Sequence, residues 1–392
     1  IFETYSMGIK SNRDHWVYNY SKKKLEKNVQ ISILNYNNEK DRLENLGETE
    51  IIQKLDRNKK NIKWTTDLIS ELVGGVTHSF KSEKMILTNY RPFSKMWWYS
   101  DASWNWTRHL MPLIFPEEKA DNLIIQVTGV GAGKDFSCLL LDCISNLHTL
   151  DTGQCFPLKI FKENSTEEGL FSHAMVDKGY INSDAITDTG FQHFLDAYPE
   201  QSFTKEDLFY YIYGLLHSQE YRERFQNNLS KELPRIPAVN NFEDFKSFSK
   251  AGRNLGGLHL NYESVDPYEL GFQESFNLFD TTDAKEFFRV EKMKFKRKGD
   301  KSSVVYNRNI TLQNIPLEAY DYVINGKSAL EWVMERQCVK TDNASGIVND
   351  ANDYANETMN NPAYPLELFQ RVITVSLETM KIVKSLPKLD ID

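Results

Sequence analysis

Several things are scarce in this chain, and each scarcity excludes something. No stretch approaches the roughly 18 consecutive apolar residues that a membrane-crossing helix needs, so no helical membrane span and no membrane partner are expected. The 392 residues hold four cysteines, Cys138, Cys143, Cys155 and Cys338, with no C-x-x-C pair. A chain this long does not need disulfide staples, so a reduced, cytoplasmic state is expected. Cys138, Cys143 and Cys155 with His148 lack the spacing of a zinc site; they read as ordinary buried thiols, and no metal is expected. Positive charge is not in excess. Lys and Arg number 47 against 55 Asp and Glu, giving a net charge of −8 and a pI near 5.6. That excludes a uniformly basic coat for nucleic acid but leaves room for a local basic patch, which is all that backbone contact needs. Ile1 is not an initiator methionine and nothing resembles a signal peptide, so the chain reads as a fragment of something longer.

Complete catalytic motifs are also absent. Gly129-Val130-Gly131-Ala132-Gly133-Lys134-Asp135 invites a phosphate-loop reading. A Walker loop needs glycine where Thr128 stands, and Ser or Thr for magnesium where Asp135 stands. The dinucleotide pattern G-x-G-x-x-G fails at Lys134. A Gly-rich hairpin turn is the simpler reading, with glycine supplying positive φ. Gly326-Lys327-Ser328 fails as a Walker end because residue 321 is Asp. Asn361-Pro362-Ala363-Tyr364 is similar to the tetrapeptide with which amino-methyltransferases hold a flipped adenine. Here Ala replaces the second Pro, and the preceding run 352–360 is polar and reads as irregular, so a loop is expected. No glycine-rich S-adenosylmethionine motif is present. The segment by itself is therefore read as no enzyme, with no cofactor of its own.

What is present reads as α+β, a mixed β-rich middle flanked by helical N-terminal and C-terminal parts. Residues 1–83 form a junction and a helical part, 84–200 a β-rich part, 201–263 central helices, and 264–392 a basic hairpin and C-terminal helical part. The central helices are the clearest. Thr204 precedes Glu206 and Asp207, a capped helix start, and Phe209, Ile212, Tyr213, Leu215 and Leu216 recur at helical spacing. Ser218 opens a second helix that must end before Pro234, and 242–258 is a third. Trp16, Tyr18 and Tyr20 alternate as in a strand. Residues 22–64 read as two charged helices broken near Gly47, with Leu25, Val29, Ile33, Leu34, Ile51, Ile52 and Leu55 inward; Arg57, Lys59 and Lys60 read as a solvated face. A helical pattern over 64–80 stops at Gly74-Gly75. Strands are expected at 85–87 and 97–99 around Tyr90-Arg91-Pro92-Phe93, and at 123–128, 136–141 and 156–161. Ser328 with Glu331 reads as a helix cap.

The run DLFYYIYGLLHSQEYRERFQNNLSKELPRIP at 207–237, followed by FSKAGRNLGGLHLNYE at 248–263, resembles the C-terminal specificity region of Type ISP restriction-modification enzymes. The resemblance covers essentially the whole chain and is strongest over 207–263 and 310–387. It extends to the Arg91-Pro92-Phe93 turn, to the Gly-rich turn followed by Phe136, and to Ile324-Asn325-Gly326-Lys327-Ser328. It implies a target recognition domain for double-stranded DNA within a single chain. Upstream methyltransferase, ATPase and nuclease domains of that chain would use S-adenosylmethionine, ATP and Mg. They would methylate adenine N6, translocate and cleave. The alternatives are a scaffold that docks the methyltransferase and ATPase domains, or an independent nucleotide-binding enzyme built on Gly129 to Lys134.

Candidate contacts follow from charge and from the resemblance. The run 285–308 is locally basic, and Val290, Met293 and Phe295 on one side with Val304, Val305 and Tyr306 on the other bracket Gly299-Asp300 as a β-hairpin. Lys292, Lys294 and Lys296 share a face at period two, with Arg297, Lys298 and Arg308 nearby. Lysine is equally at home on a solvated edge strand, where it discourages aggregation. The resemblance places the segment 1–20 directly after the methyltransferase, with Lys10, Asn12 and Arg13 near phosphates or simply in a junction loop. Arg91 suits a phosphate, a guanine edge or a carboxylate of its own chain. Lys134 stands on the turn, from which it can enter a groove.

Overall fold

Thr204 caps the helix Lys205–His217 reciprocally: its hydroxyl accepts from the Asp207 amide while the Asp207 carboxylate accepts from the Thr204 amide. Asn241 caps the helix Phe242–Leu260. In this computed structural model, which describes residues 1–117, 120–163, 180–274 and 283–391, these two helices cross at paired glycines. A Cβ on Gly214 would lie 2.2 Å from the Phe248 carbonyl oxygen, and one on Gly252 would lie 1.9 Å from that of Tyr210. Only glycine permits this approach. Every residue from Tyr211 to His217 is buried, so this helix has no polar face there.

A four-stranded antiparallel sheet packs beside the pair, in the order Ser6–Met7, Gln154–Pro157, Ile124–Val127, Cys138–Leu141. Successive side chains of a strand point to opposite faces. Ile125, Val127, Cys138 and Leu140 join the core around the crossed helices. Ile124, Leu139, Leu141 and Cys155 join a second core built from the N-terminal and C-terminal parts. The sheet is thus a wall between two cores, which explains why Ile124–Val127 and Cys138–Leu141 are buried at every position rather than at every other one.

The second core gathers the rest. Met85–Arg91 and Ser94–Tyr99 form a hairpin extended by Tyr18–Asn19, with Phe93 at φ +54 in the turn. Lys22–Leu43, Glu48–Lys54 and Thr66–Val73 are helices; Gly47 precedes the second, and Gly74 and Gly75 end the third. A four-stranded antiparallel sheet runs Gly271–Glu274, Ile310–Gln313, Asp300–Val305, Lys294–Arg297, leaving the last as an edge. The Ser328–Glu331 capping box starts Ala329–Arg336, and Tyr364–Lys384 closes the chain.

The helix expected to stop at Gly74-Gly75 does so, ending at Val73. Four expectations need correction. Residues 16–20 are a helical turn, Asp14–Val17, followed by a two-residue strand, and all five are buried, so the alternation did not mark a half-exposed strand. Leu34 and Ile52, counted as inward, are exposed. The run 352–360 is not irregular: Asp350 accepts from the Asn352 amide and caps a helix, Ala351–Glu357. Tyr364 is no loop residue; it is buried in the first turn of its helix and its hydroxyl donates to Glu263, 2.6 Å away.

Candidate nucleic-acid interface

The basic hairpin forms as its sequence suggests. Phe295 pairs with Val304 and Arg297 with Asp300, and Gly299 turns the chain at φ +83. Val304, Tyr306 and Met293 are buried and fix its base to the second core. Lys292, Lys294, Lys296, Arg297 and Lys298 are all exposed. The Asp300 carboxyl is held below its usual range by hydrogen bonds from Ser302, helped by Arg297 and Lys296. Arg308 is exposed but pairs with Glu286 at 2.6 Å. A cleft of about 540 Å³ lies at the hairpin base between Lys292, Lys294, Asn307 and Arg308.

A second basic feature lies over residues 9–15, a strap tied down by its backbone. The Ile9 amide donates to the Ser145 carbonyl, Lys10 pairs with Thr107, and the Trp106 amide donates to Ser11. Asn12 sits at φ +56, a conformation that asparagine tolerates better than most residues. An open cleft of about 670 Å³ lies above, and Lys10, Asn12, His15, Arg57, Lys63 and Trp106 are among its lining. The acid in it, Asp14, is occupied from within: it accepts from Ser11 and from the Tyr90 hydroxyl at 3.1 Å, with Arg91 at 3.9 Å. His148, also lining it, is pushed below its ordinary pKa by burial and by nearby Arg91.

The hairpin Val339–Thr341 with Val348–Asp350 joins the two features. The Val339 amide donates to the Glu291 carbonyl, next to Lys292, and His15 Nε2 lies 3.5 Å from Asp342. Lys340, between them, is exposed. The exposed cations of 292–298 and Lys340 are thus linked through this hairpin to the strap, where Lys10 is half-buried and Arg13 buried.

Two of the expected contacts turn inward. Arg13 is 1% exposed; its Nη2 donates to Thr65 at 2.5 Å, its guanidinium lies 5.4 Å from the Trp104 ring, and desolvation pushes its pKa down to about 10. Arg91 is largely covered: it donates to Asn146 Oδ1 at 2.9 Å, covers the Tyr90 ring and lies 3.9 Å from Asp14, a carboxylate of its own chain. Both arginines support the strap from behind.

Lys134 is exposed on a connection anchored at its base. Gly131 has φ +75, the Gly133 amide donates to Asp151 at 3.0 Å, and a Cβ on Gly129 would lie 1.9 Å from the Thr152 carbonyl oxygen. Asn325 plugs the opening of this loop: its Nδ2 donates to Thr128 Oγ1 at 2.8 Å and to the Asp135 carbonyl at 3.2 Å, and its Oδ1 accepts from the Asp151 amide at 2.6 Å. Trp106, His15, His148, Lys63 and Lys340 were not legible as interface residues. They come from separate segments, and nothing local marks them.

The Type ISP C-terminal specificity domain family model matches residues 1–368. Three solved structures are similar along the chain. A nuclease-deletion mutant of the Type ISP restriction-modification enzyme LlaGI, in complex with a DNA substrate mimic, is 33% identical with a TM-score of 0.84, covering 100% of this chain and 33% of that one. The ATP-dependent Type ISP restriction-modification enzyme LlaBIII bound to DNA is 33% identical with a TM-score of 0.85, over 100% of this chain and 24% of that one. The DrdV–DNA complex is 30% identical with a TM-score of 0.83, over 99% and 36%. The chain thus spans 24% to 36% of the length of these structures. No curated protein matches.

Proposed function

The chain belongs to the Type ISP C-terminal specificity family, and from that premise we propose that it reads a double-stranded DNA sequence as the target recognition segment of a restriction-modification enzyme. The observation that carries this is the likeness, at TM-scores of 0.83 to 0.85 over essentially the whole chain, to three structures described with DNA. The placement of charge agrees with it. On a chain of net charge −8, the cations of 292–298 and Lys340 are exposed, and such a local concentration of positive charge attracts phosphate. Lys292, Lys294, Lys296, Arg297, Lys298 and Arg308 anchor the backbone. Lys10 does so at the strap, while Asn12 and Lys134 stand on turns that can approach base edges. Arg13 and Arg91 act indirectly, by holding the strap.

In the longer protein, neighbouring domains would carry the covalent steps: adenine N6 methylation with S-adenosylmethionine, and ATP- and Mg-dependent translocation and cleavage. The test is a transplant. This segment is exchanged between two related full-length enzymes and methylated sites are mapped by sequencing the host DNA. The expected result is that the methylated sequence travels with the segment. A site that stays with the recipient sinks the recognition reading and leaves a scaffold role in its place.

A further inference from the structure

Trp106 is out of keeping with its surroundings. It is 42% exposed, yet it stands at the rim of a polar, cation-lined cleft rather than on an apolar patch. Its backbone is fixed through the Ser11 carbonyl and the Lys10–Thr107 pair. An exposed indole lining the same cleft as Lys10, Arg57 and Lys63 combines a π face with phosphate-neutralising charge, the pairing that single-stranded nucleic acid binders use. Asn12, held at φ +56 in the same cleft, adds an amide that can both donate and accept along a base edge. The one acid in its lining, Asp14, accepts from Ser11 and Tyr90 and has Arg91 3.9 Å away, which offsets part of its charge and leaves the lining net positive. A duplex roughly 20 Å across does not fit a cleft of about 670 Å³, and a paired, stacked base offers no free face to an indole.

We infer that this cleft receives one unstacked nucleotide of the bound DNA, its base on Trp106 and its phosphate against Lys10, Arg57 and Lys63. The inference rests on the recognition reading above and adds to it a local opening of the duplex. Such an opening is what an enzyme that works on an extrahelical base must produce.

The test uses the full-length enzyme and a duplex carrying the site found by methylation mapping. Affinity is measured for wild type, Trp106→Ala and Trp106→Phe on the intact site, on a scrambled duplex, and on a series with one abasic nucleotide at each position in turn. On the intact site, Trp106→Ala is expected to bind roughly tenfold more weakly, and Trp106→Phe to recover most of that. At one position the abasic duplex should cost wild type a similar factor and cost Trp106→Ala nothing further. Additive losses at every position, or an unchanged Trp106→Ala, overturn the inference. Failure of wild type to distinguish site from scrambled duplex overturns the recognition reading instead. Since Trp106 is partly exposed, a melting temperature near wild type separates lost contact from lost fold.

Discussion

The crossed helices and the basic hairpin obey opposite rules. Lys205–His217 and Phe242–Leu260 meet so closely that a single methyl group has no room at Gly214 or Gly252. Their polar groups are closed in a circuit. The Tyr213 hydroxyl accepts from the Leu140 amide at 3.0 Å and donates to His259 Nδ1 at 2.5 Å, whose Nε2 faces Thr379 at 3.0 Å. The hairpin at 294–305 packs its apolar side on the second core and leaves Lys294, Arg297 and Lys298 exposed. Volume decides the first region and charge the second, so each should be deaf to changes that damage the other.

The largest test of that contrast is Gly252→Ala. Its Cβ would meet the Tyr210 carbonyl oxygen at 1.9 Å, so the helices must part, at a cost of about 1–3 kcal/mol or more in chemical denaturation. Gly257→Ala, on the same helix with nothing within 4 Å, should instead stabilise by about 0.5–1 kcal/mol. Equal effects at the two positions would mean that the close crossing is not what fixes this region.

Acid comes next. Burial pushes His259 down to about 3 and His217 well below its ordinary value, so both fold as neutral rings. A histidine whose folded pKa lies below its unfolded one stabilises fully above the unfolded value, near 6.5. That stability is lost as pH falls, because the unfolded chain takes up the proton. Between pH 7.5 and 5.5 the two together should lower stability by about 2–3 kcal/mol, read as a falling melting temperature at constant ionic strength. A flat melting curve would place the histidines in water rather than in the circuit.

The smallest effect on stability belongs to the triple variant Lys292→Gln, Lys294→Gln, Lys298→Gln, expected within about 0.5 kcal/mol of wild type. Its DNA affinity should nevertheless lose roughly 2–3 from the slope against the logarithm of salt concentration. A large fall in stability would show that the hairpin is part of the frame after all.

Both regions were readable in advance because their signals are local. Thr204 with Asp207, Ser218, Pro234 and the bracketed Gly299 act within a few residues, and the structure places each where its chemistry requires. Asp350 as a helix cap was equally local and was overlooked because polar residues obscured it. The inward turn of Arg13 and Arg91 is not local. Arg13 meets Thr65, 52 positions away, and Arg91 meets Asn146, 55 away, so their burial is a property of the folded chain. The strap cleft is illegible in the same way, since its lining is drawn from separate segments between residues 9 and 148.

Asn325 carries a consequence for engineering. The reach of Lys134 is set by a side chain 197 positions beyond the Thr128 that begins its loop. A graft that moved residues 121–157 alone would keep its clasp only where the recipient presents an asparagine in the place of Asn325. The exchangeable unit on that side of the molecule is therefore discontinuous, two stretches of sequence that must match each other.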